Sequence, residues 1–256
     1  MKGKVLIITG SAGIGAAAVR LAVSRGARVV IATQDEVSGL DLAAKTGAEC
    51  WAGDLTRPDS AHSIVSQCLS KFGRVDGLFN VAGLSGRRFG DGPVHEIEDA
   101  AWETTMARNL TVTFRMCRAA VGRMLDQAAE DGVRGAVVNM GSVLVEAPEP
   151  RHFGTHAYVA AKGAVEALSR SMAAYYAPHG IRVNVLAPGL VRTPAGERGQ
   201  EAPELQDFLR KKQPLTGGTM GAEEVANAAL FLLGSESQAI TGQVLAVDGA
   251  WRLTGA

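Results

Sequence analysis

Cysteine is scarce in this sequence: Cys50, Cys68 and Cys117 are the whole set in 256 residues. Three scattered cysteines cannot make a disulfide framework, and no C-x-x-C or Cys/His cluster marks a zinc site, so no metal is expected and a reducing compartment is. Net charge is missing too. Lys plus Arg number 26 and Asp plus Glu number 26, so no overall field recruits nucleic acid or an anionic membrane surface, and a small or uncharged partner is expected. Long apolar runs are lacking: the one after Met1-Lys2-Gly3-Lys4 ends within a few residues at Thr9-Gly10. That is too short for a leader's apolar segment and far from the about 20 residues of a membrane span. A cytoplasmic protein is expected. Repeats of fixed period, low-complexity tracts and Pro-, Gly- or Ser-rich linkers are also absent, so residues 1–256 are expected to form one domain.

What is present is apolar content of 46%, enough for a large core without staples. It is distributed as short β-branched runs alternating with longer segments of helical period, the pattern of βαβ units around a parallel sheet. Strands are predicted at Val5 to Thr9, Arg28 to Thr33, near Cys50-Trp51, and at Leu78 to Val81, Ala136 to Met140, Arg182 to Leu186 and Val244 to Val247. Helices are predicted over Ile14 to Arg25, Pro58 to Phe72, Ala157 to Tyr176 and Glu223 to Leu233. Two stretches, Val143 to Thr155 and Pro194 to Gly221, read as irregular, and long loops inside a compact domain usually carry function.

Between the first strand and first helix lies Thr9-Gly10-Ser11-Ala12-Gly13-Ile14-Gly15. Small residues there let a backbone approach a pyrophosphate, while the helix N-terminus offers N–H donors and partial positive charge. Further on, Tyr158 and Lys162 stand four apart on a predicted helix and share a face. Such pairs are common on helix surfaces, but this one follows a strand ending in Asn139-Met140-Gly141-Ser142. An ammonium beside a phenol stabilises phenolate, which suits the tyrosine to exchange a proton with an alcohol or carbonyl oxygen.

The glycine loop, Asn80-Val81-Ala82-Gly83 after the fourth strand, Ser142 with Tyr158-x-x-x-Lys162, and Pro188-Gly189-x-Val191-x-Thr193 after the sixth occur in this order. Together they resemble the short-chain dehydrogenase/reductase family, in the branch whose chains have this length, from Lys4 to Trp251. The resemblance implies a Rossmann-type α/β fold, a doubly wound three-layer sandwich with a seven-stranded parallel sheet. It implies an NAD(P)-dependent oxidoreductase that moves a hydride between nicotinamide and a carbonyl or secondary alcohol, with Tyr158 as acid/base. Lys162 would also hold the nicotinamide ribose, Ser142 would polarise the substrate oxygen, and Asn109 in Met106-Ala107-Arg108-Asn109-Leu110 would kink its helix and hold a water in a relay to the lysine.

For the cofactor, the resemblance places Gly10, Ser11, Gly13, Ile14 and Gly15 at the pyrophosphate and Asp54-Leu55 at the adenine. Asn80 would tie neighbouring strands, and Ala82 and Gly83 would admit the ribose. Pro188-Gly189 would turn the chain so that Val191 and Thr193 meet the carboxamide. The glycine loop departs from the family pattern, with one residue fewer between Gly10 and Gly13. Thr33 stands at the usual acidic position, followed by Gln34, Asp35 and Glu36. Neither Ser11-Ala12 nor Thr33 to Ser38 contains a base for a 2′-phosphate, so NAD is expected ahead of NADP.

On the substrate side, Thr193 to Gly221 matches the family's covering segment, with a short helix over Pro203 to Lys212. Arg87, Arg88 and Phe89 are expected near the entrance, where adjacent arginines suit a carboxylate or phosphate and at least one is expected to be solvated. His152 and His156 are read as pocket or solvent residues rather than acid/base groups. Relatives of this type are dimers or tetramers built through long helices equivalent to Asp99 to Ala129 and Ala157 to Tyr176, so a homotetramer or homodimer is expected. Met116, Val121, Leu125, Leu168 and Met172 suit such contacts or an internal core equally. Two other functions stay open: a 3-oxoacyl reductase acting on a carrier-bound chain, and a cofactor-sensing binding protein without turnover.

Overall fold

The computed structural model describes residues 1–130, 132–193 and 202–255. Seven strands form one sheet: β1 (Val5–Thr9), β2 (Arg28–Thr33), β3 (Glu49–Ala52), β4 (Gly77–Asn80), β5 (Gly135–Met140), β6 (Ile181–Pro188) and β7 (Val244–Val247). Their order is β3-β2-β1-β4-β5-β6-β7, and every pairing is parallel. Parallel neighbours need crossovers, and helices supply them on both faces. The alternation of β1 shows why both faces must be covered. Leu6 and Ile8 point into one apolar layer, Val5 and Ile7 into the other, as the two-residue period of a strand requires.

On the first face lie α1 (Gly13–Ser24) and Ala222–Leu233, the last α-helix among the described residues and here α9. Ala16, Ala17, Ala18 and Ala22 of α1 are buried against the layer that also holds Val225, Ala226 and Ala229; alanine keeps these backbones close. The opposite face carries α3 (Ser60–Phe72), α5 (Val112–Asp126) and α7 (His156–Tyr176), contributing Ile64, Cys68, Met116, Val121 and Ala173. Met116 and Val121 thus belong to the internal core, while Leu125 is exposed. This is the Rossmann-type doubly wound architecture. The order of crossovers reverses between β1 and β4, and at that point the strand ends open a crevice suited to a ligand.

Several elements differ in detail from their expected form. A helix absent from the sequence reading, α2 (Glu36–Thr46), follows β2, started by Asp35 accepting from the Ser38 N–H and stopped by Gly47 in a left-handed turn. Gly39 in its middle masks the helical signal, yet a Cβ there would lie 2.5 Å from Thr33 Cγ2 and 2.8 Å from Cys50 Sγ. The helix predicted from Pro58 starts at Ser60, because Pro58 sits in the preceding turn. The long helix expected over Asp99 to Ala129 is two, α4 (Asp99–Met106) and α5, joined by a π turn at Ala107–Thr111 and ending at Asp126. Within Val143 to Thr155 the chain forms a 3₁₀ turn at Val143–Val145 and a short helix, α6 (Pro150–Phe153). The helix predicted at Pro203–Lys212 is present as α8.

Candidate functional site

The glycine loop closes over fewer residues than the family pattern, and left-handed glycines at its two ends make this possible. Gly10 has φ +100° and Gly13 φ +51°, conformations glycine adopts without strain. A Cβ on Gly15 would stand 2.4 Å from the Gly10 carbonyl oxygen, so only glycine lets the helix start rest on the loop. Ser11 is buried, and its hydroxyl meets Thr33 Oγ1 at 2.8 Å and Ser38 Oγ at 2.5 Å. It braces the loop against β2 and α2.

At the far side of the crevice a small recess is lined by Gly10, Thr33, Gln34, Asp54, Leu55, Ala82, Gly83, Arg108 and Val112. Asp54 Oδ1 accepts from the Thr56 hydroxyl at 2.7 Å and the Thr56 N–H at 2.9 Å. These bonds hold its carboxyl below the usual range, so it stays ionised. Thr9 Oγ1 accepts from the Val81 and Ala82 N–H groups at 2.9 and 2.8 Å, fixing the start of the loop after β4. Asn80 donates to Asn139 Oδ1 at 2.8 Å, and Asn139 to Ser169 Oγ at 2.9 Å, so β4, β5 and α7 are tied by a buried chain of amides.

Tyr158, Lys162 and Ser142 meet where β5 ends and α7 begins. Lys162 is almost fully buried and donates to the Met140 carbonyl at 2.9 Å. Its Nζ lies 5.5 Å from the centre of the Tyr158 ring. Burial pushes the ammonium down to about 8. Burial also pushes Tyr158 upward, while a hydrogen bond with Ser142 draws it back. The Ser142 hydroxyl in turn accepts from the Leu144 N–H at 3.3 Å. Asn109, in the π turn, donates to Leu84 and Thr105 carbonyls and accepts from the Leu84 N–H. It therefore clamps the loop that carries Gly83, where a Cβ would lie 2.7 Å from Asn109 Oδ1 and 3.3 Å from Lys162 Nζ.

Two cavities share the tyrosine. One cleft is lined by Ala12, Gly13, Ile14, Gly83, Lys162, Val191, Thr193 and Tyr158. The other, of about 250 Å³, is walled by Val143, Leu144, Phe153, Leu190 and Trp251, with Ser142, Tyr158, Ser85, Thr155 and Arg87 as its polar groups. Pro188 and Gly189 border both. A cradle in which glycine replaces side chains along the crevice, beside a cationic lysine and an ionised aspartate, fits a dinucleotide.

A family profile described as Enoyl-(Acyl carrier protein) reductase matches residues 8–251, nearly the whole chain. The chain belongs to the short-chain dehydrogenase/reductase family. With relatives named dehydrogenases along nearly its whole length, this chain is a nicotinamide-dependent oxidoreductase acting on alcohol or ketone groups. It is 40% identical to the inactive 2-(S)-hydroxypropyl-CoM dehydrogenase 2 of Xanthobacter autotrophicus, over 90% of this chain and 97% of that one. It is 34% identical to 2,5-dichloro-2,5-cyclohexadiene-1,4-diol dehydrogenase of Sphingobium indicum, over 98% of both. Among solved structures, gox2181 superposes with a TM-score of 0.89 at 30% identity, covering 98% of this chain and 96% of the other.

This short-chain dehydrogenase/reductase also uses residues that sequence reasoning passed over. Asp91, distant in sequence, accepts from the Ala157 and Tyr158 N–H groups, both at 2.9 Å, and so caps the helix that carries the tyrosine. Gln213, fully buried, accepts from the Leu190 N–H and donates to the Leu190 and Gly218 carbonyls, fastening the turn after β6 to the segment beyond α8. Trp251 packs on Phe153 and Phe208 at ring distances of 5.6 and 5.8 Å. Arg87 donates to the His152 carbonyl and borders the 250 Å³ cavity, whereas Arg88 lies over the Phe89 ring. His156 Nδ1 accepts from the Val94 N–H at 3.0 Å, a bracing role. Of the expected covering segment Thr193 to Gly221, residues 194–201 lie outside the described residues. Among the described residues no His/Cys/Asp/Glu group could hold a metal, and no helix is long and apolar enough to cross a membrane.

Proposed function

We propose that this enzyme interconverts a compact, predominantly apolar ketone and its secondary alcohol, with Tyr158 as the proton-exchanging group. The observation that carries this reading is the position of Tyr158 on the boundary of both cavities. Facing one way it meets the glycine-lined crevice, facing the other the apolar cavity. Bound there, the nicotinamide would supply or accept the hydride. Tyr158 gives its proton to the alkoxide oxygen during reduction and takes one from the alcohol during oxidation. Ser142 hydrogen-bonds the same oxygen and aligns it. Lys162 stabilises the phenolate by its charge, and it has donors left beyond Met140 for ribose hydroxyls. Asn109 positions Gly83 and, through the helix interruption, takes part in proton supply to the lysine.

Gly10, Gly13, Ile14 and Gly15 would hold the pyrophosphate through backbone groups, with Ser11 and Thr33 shaping the loop behind them. Gln34, Asp54 and Leu55 would receive the adenosine, Ala82 and Gly83 the ribose, and Pro188, Gly189, Val191 and Thr193 the carboxamide. NAD suits residues 33–38, which contain no base. Among the described residues the single guanidinium lining the recess, Arg108, comes from elsewhere in the chain and bears on NADP. The name of one relative includes the word inactive, but Asn109, Ser142, Tyr158 and Lys162 are all present here, and turnover rather than sensing follows. The modest volume of the cavity, about 250 Å³, and its apolar walls favour a free small substrate over a carrier-bound 3-oxoacyl chain. One continuous sheet supports a single domain. The exposed Phe114, Leu125 and Trp102 on α4 and α5 support a homodimer or homotetramer, and three free cysteines support a cytoplasmic location.

Absorbance-monitored turnover of NADH and NADPH over a panel of ketones tests the reading. We expect activity on free ketones that falls at least about a hundredfold in Tyr158→Phe, with cofactor binding retained. Turnover confined to carrier-bound chains, or undiminished in the variant, would overturn it.

A further inference from the structure

The adenosine recess contains a charge that its own local motif lacks. Thr33 stands at the end of β2, where an acidic residue would bond a ribose 2′-hydroxyl and reject a 2′-phosphate. Its hydroxyl is engaged by Ser11 and accepts from the Asp35 N–H at 3.1 Å. The nearest acid, Asp35, turns back to cap α2 through Ser38. The carboxylate that would exclude a 2′-phosphate is therefore employed elsewhere. Asp54, the acid that does line the recess, is satisfied chiefly by Thr56.

Into this recess comes Arg108 from the π turn between α4 and α5. Its Nη1 meets Gln34 Oε1 at 3.4 Å, across a sequence separation of 74, and its guanidinium lies 5.2 Å from the centre of the Phe89 ring. No other lysine or arginine lines the recess among the described residues. A planar guanidinium resting on an aromatic face, with one edge on a neutral amide, keeps further donors for a phosphate. The π turn brings it there, since the same extra residue that turns Asn109 inward sets its predecessor towards β2.

We propose that Arg108 is the residue that reads the adenosine 2′ position, and that it donates to a 2′-phosphate so that the phosphorylated cofactor is accepted. The inference rests on the reading of this crevice as the cofactor site. The base that residues 33–38 lack is supplied from the far side of the crevice, and NADP joins NAD as a cofactor.

Calorimetric titration with ADP-ribose and with 2′-phospho-ADP-ribose tests this without any turnover. We expect the wild-type protein to bind both. In Arg108→Ala the phosphorylated ligand should lose roughly tenfold to a hundredfold in affinity, the scale of a charged hydrogen bond, while ADP-ribose changes less than about threefold. Arg108→Lys keeps the charge and should recover part of the loss. Equal losses for both ligands would overturn the inference and make Arg108 a strut or an adenine-stacking group. A wild-type protein that binds ADP-ribose but not its 2′-phosphate would also overturn it, leaving the cofactor reading intact. Failure to bind either ligand would overturn the cofactor reading, and the inference with it.

Discussion

Lys162 shows how much of this site is decided by single groups and their surroundings. Its ammonium is only 2% exposed, and with one carbonyl partner it is held down to about 8 by burial, against 10.5 for a free lysine. Between those values the unfolded chain binds the proton and the folded chain does not, so stability rises with pH across that interval; below about 8 the burial cost is present in full. Denaturant unfolding of the cofactor-free protein should show a wild-type stability gain between pH 8 and 10 that Lys162→Met lacks, and the variant should be inactive. Identical pH slopes in the two proteins would mean that the lysine is hydrated. Ser142 acts on its neighbour in the opposite sense to burial, by drawing Tyr158 down. Ser142→Ala should lower kcat by roughly a hundredfold, the scale of one lost oxyanion donor. It should also move the pH dependence of alcohol oxidation upward, because the phenolate forms less readily. A rate loss with an unmoved profile would leave Ser142 as a substrate contact alone.

Among elements, α7 carries the tyrosine, and its N-terminus is fastened by a carboxylate that is far from it in sequence. Two bonds of 2.9 Å from Asp91 satisfy N–H groups that would otherwise lack partners, and the negative charge sits at the positive end of the helix. Asp91→Ala should cost about 1–2 kcal/mol of stability and reduce kcat more than it raises KM, since Tyr158 itself is the capped residue; thermal unfolding and steady-state kinetics measure the two effects. Asp91→Asn should recover part of the stability. The difference between this cap and the motifs of the site explains what was legible in the sequence. Gly10 to Gly15 and Tyr158 with Lys162 are local patterns, in which spacing along one loop or one helix turn already states the geometry. Asp91, Gln213 and Arg108 act across separations that only the fold closes. The helix α2 was hidden for a third reason: Gly39 is required by packing against Thr33 and Cys50, and it weakens the helical signal it sits in.

For the whole molecule, the doubly wound sheet of seven parallel strands was legible because short β-branched runs alternate with helical segments; the order of its strands emerges only from the structure. The apolar cavity beside Tyr158 was legible only in part: Ser142 and Arg87 were expected there, but Leu190 and Trp251, which complete its wall, share no sequence pattern with them. Trp251 is the clearest case. It is almost fully buried, donates to the Ala147 carbonyl at 3.2 Å across 104 residues, and packs edge-on against Phe153 and Phe208. The C-terminal turn thus closes a wall begun by the loop after β5 and by α8. Removing the indole should enlarge the cavity and cost about 3–5 kcal/mol, so Trp251→Phe, which keeps a ring and loses one hydrogen bond at about 1 kcal/mol, is the gentler companion. With ketones of increasing bulk, kcat/KM should shift towards larger substrates in Trp251→Ala and less so in Trp251→Phe, while small ketones lose efficiency because they are held less closely beside Tyr158. A destabilised variant with unchanged size ranking would make Trp251 a support of the fold and move the boundary of the substrate site to Leu144, Phe153 and Leu190.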